Sequence, residues 1–217
     1  MRGAARKGFR AALAAVLLAL AACGQPNDQA ASPNQAAPLD ARVDANGVFD
    51  RPLPPVDLPI RDLQQQTGVW CWAAVAQQII MASRGPQGTP PQCALVAIAN
   101  GVGPEACCSG PNPACVRTGS IPQIQGLINQ FGGRTSNYAP PTDPLTLYRT
   151  LAMGHAVIIG VNTGQGGHVV VARGMSFMPT PYGWEPMVHI NDPMAYYTQP
   201  VPFRQVARIW MAAIVVN

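Results

Sequence analysis

A cysteine flanked by two tryptophans, in "QQTGVWCWAA" over residues 65 to 74, stands where residue type and position together favour nucleophilic chemistry. From Trp70 to Ser83 the apolar residues Trp72, Val75, Ile79 and Ile80 recur at helical spacing, and Gly85-Pro86 ends the run. Cys71 therefore falls in the first turn of a helix, where unpaired backbone N–H groups and the helix dipole favour an anion, and a thiol attacks as its thiolate. Such a nucleophile needs an imidazole to hold it and later to protonate the leaving group. Of the three histidines, His168 follows "TGQGG" and opens a strand, so it can approach a helix end closely. His155 also opens a strand but directly follows a helix stop, and His189 lies inside a strand. A carboxylate or amide should orient the imidazole. Asp192, which ends a strand at "HINDP", is the choice, with Asn191 as its rival; Asp143 reads as a helix cap and Glu105 sits in a cysteine-rich loop. An oxyanion would take the backbone N–H of Cys71 and a side-chain amide from Gln64, Gln65 or Gln66.

The elements that must position these residues follow from periodicity and punctuation. After the Cys71 helix, a shorter helix is expected over 92–99, a third over 122–131 capped by Ser120, and a fourth from Asp143-Pro144 to Met153. The pattern then changes. "HAVIIGV", "HVVVARG" and "MVHIN" are short, β-branched and separated by Gly, Pro and Asn, and "VARIWMAAIVV" over 206–216 supplies a last strand. Helices first and strands second predict an α+β domain, a helical layer packed on a mainly antiparallel sheet. Trp70 and Trp72 are expected to pack around the helix start.

With 48% hydrophobic and 11% charged residues in 217, one core and one domain are expected, spanning 57–217. Residues 23–56 are rich in Pro, Ala, Gln and Asp and read as a flexible tether. Residues 1–22 read as a signal peptide: a basic stretch ending at Arg10, then the uncharged run "AALAAVLLALAA". "LAAC", ending at Cys23, resembles the lipobox of bacterial lipoproteins, which implies lipidation of Cys23, export and a membrane anchor. Gly24 after the cysteine implies sorting to the outer membrane, facing periplasm or exterior. Of the 14 bases, Arg2, Arg6, Lys7 and Arg10 lie in the removed segment, leaving ten bases against the chain's ten acids. A neutral body offers no footprint for nucleic acid.

Six cysteines less Cys23 leave five, an odd number in a disulfide-permitting compartment. Cys93, Cys107, Cys108 and Cys115 are close in the chain and able to form two local disulfides in a pairing the spacing leaves open, and Cys71 remains as a thiol. Adjacent cysteines followed by a six-residue gap lack the usual zinc-ligand spacing, so no metal is expected.

Gln65, "WCWAA" at 70–74, "QC" at 92–93, "CC" at 107–108, "GGH" at 166–168 and "NDP" at 191–193 resemble the bacterial papain-like cysteine peptidases, in particular the avirulence-protein proteases and, more distantly, the leader peptidases of bacteriocin exporters. The resemblance implies a papain-like fold, Cys71 as nucleophile, His168 as general base and acid, Asp192 as orienting group and Gln65 as oxyanion donor. It implies a peptide or protein substrate, no cofactor and a monomer. Where relatives often carry Arg-Pro after the glycine before the first strand, this chain has His155-Ala156. Two other classes compete: an amidase or acyltransferase using the same triad on cell-wall or other acceptors, and an inactive binding lipoprotein.

Overall fold

The computed structural model describes residues 40–217 except 111, 165 and 198; the expected signal peptide, Cys23 and the expected tether as far as residue 39 lie outside the described residues. Strand β3 (Val157–Asn162) shows how the sheet is built. Val157, Ile159 and Val161 turn to one face and Ile158 to the other, and all four are buried, so the segment is apolar without interruption because both faces are covered. Among the described residues the sheet has seven strands, all pairings antiparallel. Its order runs from Ser136–Ala139 (β2) through Trp210–Val216 (β7), β3, Gly167–Thr180 (β4) and Gly183–Asn191 (β5) to Val201–Pro202 (β6). Short β1 (Val56–Asp57) pairs with the far half of β4.

Helices α1 (Cys71–Arg84), α2 (Gln92–Ala99) and α3 (Ile121–Leu127) cover one face. There Trp72, Ile80, Leu95 and Ile124 pack with Ile158, Val171 and Ile214 of the sheet. Helix α3 starts at a capping box, with Ser120 accepting from the Gln123 backbone and Gln123 reaching back, and α4 (Pro144–Ala152) starts at Asp143, which accepts from Leu145 and Thr146. The expected α+β architecture, helices on an antiparallel sheet, is the one the chain adopts.

Three expectations are corrected. The tether does not extend to residue 56: Ala41, Phe49 and Leu53 are buried, and Phe49 exchanges backbone bonds with Trp184 at 2.9 and 2.8 Å while its ring packs edge-on against Phe177. The globular unit therefore begins by residue 40, not 57. The apolar residues of the 41–53 segment are too widely spaced to show a period; a local turn closed by Asp44 and long-range pairing with Trp184 order them together. The last strand is shorter than 206–216: Phe203–Ile209 is helix α5, burying Phe203 and Val206 one turn apart and exposing Arg204 and Arg208. With α4 and the 41–53 segment it forms a second layer on the opposite sheet face. Finally, the third helix ends in a π-helical turn, Ile128–Gly132, closed by Gly133 at φ 64.

Candidate active site

Cys71 is the first residue of α1. The Trp70 carbonyl accepts the first helical bond from Ala74 at 2.9 Å, so the N–H groups of Cys71, Trp72 and Ala73 have no partner within the helix. The two tryptophans hold this end in place. Trp70 Nε1 donates to the Cys115 carbonyl at 2.8 Å and Trp72 Nε1 to the Arg117 carbonyl at 3.2 Å. That loop is itself stapled, by Cys93–Cys108 to α2 and by Cys107–Cys115 within itself, and Cys71 is the free thiol among the described residues. Gly119 lies against the Trp72 indole so closely that a Cβ there would overlap the ring. Gly119→Ala should therefore lower stability by about 1–3 kcal/mol, the usual range for overpacking, read as a shift in urea midpoint with unchanged slope. An unshifted midpoint would show that the loop moves aside freely.

His168 and Asp192 meet through sheet register. Strands β4 and β5 pair with Val171 opposite Asn191, which places Asp192, one residue further, beside the beginning of β4. His168 Nε2 and Asp192 Oδ1 are 2.6 Å apart, with the side chains 4% and 0% exposed. Cys71 also acts on the imidazole, through hydrogen bonding and charge, while Nε2 is taken by Asp192. Burial works against charge on His168, but the hydrogen bonds to Asp192 and Cys71 and the attraction of both groups outweigh it, raising its pKa to about 9. Burial also penalises the Asp192 carboxylate. The His168 bond and backbone N–H groups more than offset this, so it titrates below the ordinary carboxylate range.

Those N–H groups form a cradle. Met194 donates to Oδ1 at 3.0 Å, Tyr196 and Tyr197 to Oδ2 at 2.8 and 3.1 Å, and the turn closes through Ala195 at φ 59, the non-glycine residue held at positive φ among the described residues. Asn191, the rival orienting residue, is engaged elsewhere: its Nδ2 donates to the Ile60 carbonyl at 2.9 Å and its Oδ1 accepts from Arg173 at 2.8 Å. His155 Nδ1 donates to the Val216 carbonyl at 3.1 Å, and His189 Nε2 lies 2.9 Å from Ser176 Oγ, its pKa lowered by burial and by Arg173.

Two of the three glutamines, Gln64 and Gln65, stand beside the Asp192 loop. Gln64 Nε2 donates to the Asp192 carbonyl at 3.3 Å and the Gln65 backbone N–H to the Pro193 carbonyl at 3.0 Å. The Gln65 amide donates to the Thr67 carbonyl at 2.7 Å, and its buried Oε1 has no hydrogen-bond partner among the described residues. One positioning group was quoted in the sequence, in "QC" at 92–93, without a role of its own. Buried Gln92 accepts from the Gln66 backbone at 3.0 Å and donates to the Gln64 carbonyl at 2.9 Å and to Gln77 at 3.1 Å, clamping segment 64–66 between α1 and α2. The signal for that role is a polar residue opening an otherwise apolar short helix. Among the described residues no group of three or more His, Cys, Asp or Glu is arranged to hold a metal ion.

A cleft containing a free thiol, a buried imidazole and a buried carboxylate in hydrogen-bonded series can hold a thiolate–imidazolium pair and attack an acyl carbon. No protein-family model matches the sequence, and no curated protein matches it. Among solved structures the chain is similar to one named as a "putative C39-like peptidase" from Bacillus anthracis, with a TM-score of 0.46 and 14% identity over 76% of this chain and 98% of that one.

Proposed function

We propose that this chain is a papain-like cysteine peptidase carried on an exported lipoprotein. The observation that supports it most is the series from free Cys71 at a helix N-terminus, through His168, to an Asp192 buried and held by three backbone N–H groups. Cys71 Sγ attacks the amide carbon. The oxyanion is held by the Cys71 N–H and by Gln65, whose amide exchanges the Thr67 carbonyl for it. The protonated His168 gives its Nδ1 proton to the departing amine, Asp192 keeps the ring oriented through Nε2, and a water deprotonated by the same nitrogen opens the thioester. The test is cleavage of a mixture of unstructured peptides, followed by mass spectrometry, by the chain and by Cys71→Ala. New termini that appear with the chain and vanish with the variant are expected; equal cleavage by both would remove the proposal.

The lipobox at Leu20–Cys23 supports a lipid anchor at Cys23. Expressed with its leader in a Gram-negative host, the chain should enter the detergent phase on Triton X-114 partition, and Cys23→Ser should remain in the aqueous phase, since two or more acyl chains are needed for stable anchoring. Aqueous partition of both forms would overturn the anchor and leave the peptidase reading untouched.

A further inference from the structure

Residues 61–65 lie in no helix or strand, yet the backbone on either side of Gln65 is bonded as it would be inside a sheet. In an extended chain the carbonyl of one residue and the N–H two residues on point the same way, toward one neighbouring strand. Here those groups are the Gln64 carbonyl and the Gln66 N–H, and both meet the side chain of Gln92, which accepts from one and donates to the other. A side-chain amide offers a C=O and an N–H side by side, as a peptide unit does, so Gln92 replaces one unit of an absent strand. The Gln65 N–H points the opposite way, to the Pro193 carbonyl, as the alternation requires.

Gln92 is itself fixed to the nucleophile's helix. Its second amide hydrogen goes to Gln77 Oε1 on α1, and Gln77 Nε2 donates to the Pro90 carbonyl at 2.9 Å, two residues before Gln92. Gln78, also on α1 and two turns from Cys71, donates to the Leu63 carbonyl at 3.1 Å and to Asp62 at 3.2 Å. Gln78 and Gln92 are buried, and the Gln78 Oε1 has no hydrogen-bond partner among the described residues. A Leu or Met in either place would fill the space without desolvating an amide. What the amides add is the placement of the segment that they hold.

We infer that Gln92, anchored by Gln77, is a positioning residue for the oxyanion hole: by bracketing Gln65 it sets the base of that side chain at a fixed place relative to the Cys71 N–H. The inference rests on the peptidase reading. An oxyanion donor acts only within about 2.7–3.1 Å of the developing charge, and a displacement of about 1 Å can cost about a hundredfold in rate. The Gln65 side chain must turn from the Thr67 carbonyl to reach that charge, so its backbone is the part that has to stay still.

The test compares two reactions of the same thiol in the wild type, Gln92→Met and Gln77→Met. Acylation by a peptide p-nitrophenyl ester forms the S–C bond through an oxyanion and releases nitrophenolate. Alkylation by iodoacetamide displaces iodide from a saturated carbon and forms no oxyanion. Gln92→Met should lower kcat/KM for acylation by about 10- to 100-fold, with the rate and pH dependence of alkylation unchanged; Gln77→Met should give a smaller fall of the same kind. Loss of both reactions together in a folded variant would make the role merely structural and overturn the inference, as would unchanged acylation. If Gln92→Met fails to fold, Gln77→Met decides by the same ratio, since it leaves the two bonds that bracket Gln65 in place. A wild type that is alkylated but never acylated would remove the peptidase reading, and the inference with it, whereas acylation insensitive to both variants would remove the inference alone.

Discussion

Replacing Cys71 by Ala, or His168 by Ala, should lower the rate of peptide cleavage by at least about a thousandfold, and the double variant should be little worse than either single one, because the two groups act as a unit. The pH profile carries more information than the loss itself. His168 keeps its proton up to about 9, through its hydrogen bonds to Asp192 and Cys71, so the imidazolium that protonates the leaving amine is present through the neutral range. The alkaline limb of kcat/KM should therefore lie at about 9, with activity falling as pH rises through it. Asp192→Asn removes the charge that raises the His168 value and leaves only a neutral, weaker acceptor. In that variant the limb should move to lower pH and the maximum rate should fall. A limb that stays in place would show that His168 is not the titrating acid.

Asp192→Ala should have the largest effect on stability of any single substitution in the site. It removes the acceptor of the His168 bond at 2.6 Å and of the Met194, Tyr196 and Tyr197 N–H groups. Breaking a buried charged pair in this way costs about 3–5 kcal/mol, because the remaining partners lose their bonds without regaining water. Asp192→Asn, which keeps an acceptor oxygen, should recover part of that loss. The sign with pH follows from the carboxyl's position below its ordinary value: its stabilisation is present at neutral pH and is lost as acid protonates it. Urea titration at pH 7 checks the first statement, and a wild-type midpoint that falls on acidification more than that of Asp192→Ala checks the second. Equal stability of wild type and Asp192→Ala at pH 7 would mean that the 194–197 turn finds other partners.

Features written in short-range patterns were legible before the fold was known. The start of α1 at Cys71, the caps at Ser120 and Asp143 and the short β-branched run of β3 depend on residues close together in the chain, and each carries its own periodicity, capping side chain or composition. So did the free thiol at a helix N-terminus and a histidine opening a strand after glycines. What joins distant segments was not legible. Phe49 reads as one aromatic in a Pro-rich stretch, and its pairing with Trp184, with buried Ala41 and Leu53 and the Tyr148 bond to the Pro54 carbonyl, brings this segment into the core. The 203–209 segment looks like strand until the second face of the sheet offers Phe203 and Val206 a surface.

By itself the sequence determined which residues had the chemistry: one unpaired cysteine placed at the front of a helix, a histidine at a strand opening and acids few enough to weigh one by one. The tertiary structure decided their partners. It turned Asn191 toward Ile60 and Arg173 and Asp192 toward His168, paired Cys93 with Cys108 and Cys107 with Cys115, and set Gln92 under segment 64–66. Neighbours along a strand face opposite ways, and near-identical spacings allow several disulfide pairings. These choices are therefore made by register and packing between segments far apart in the chain, which local preference does not encode.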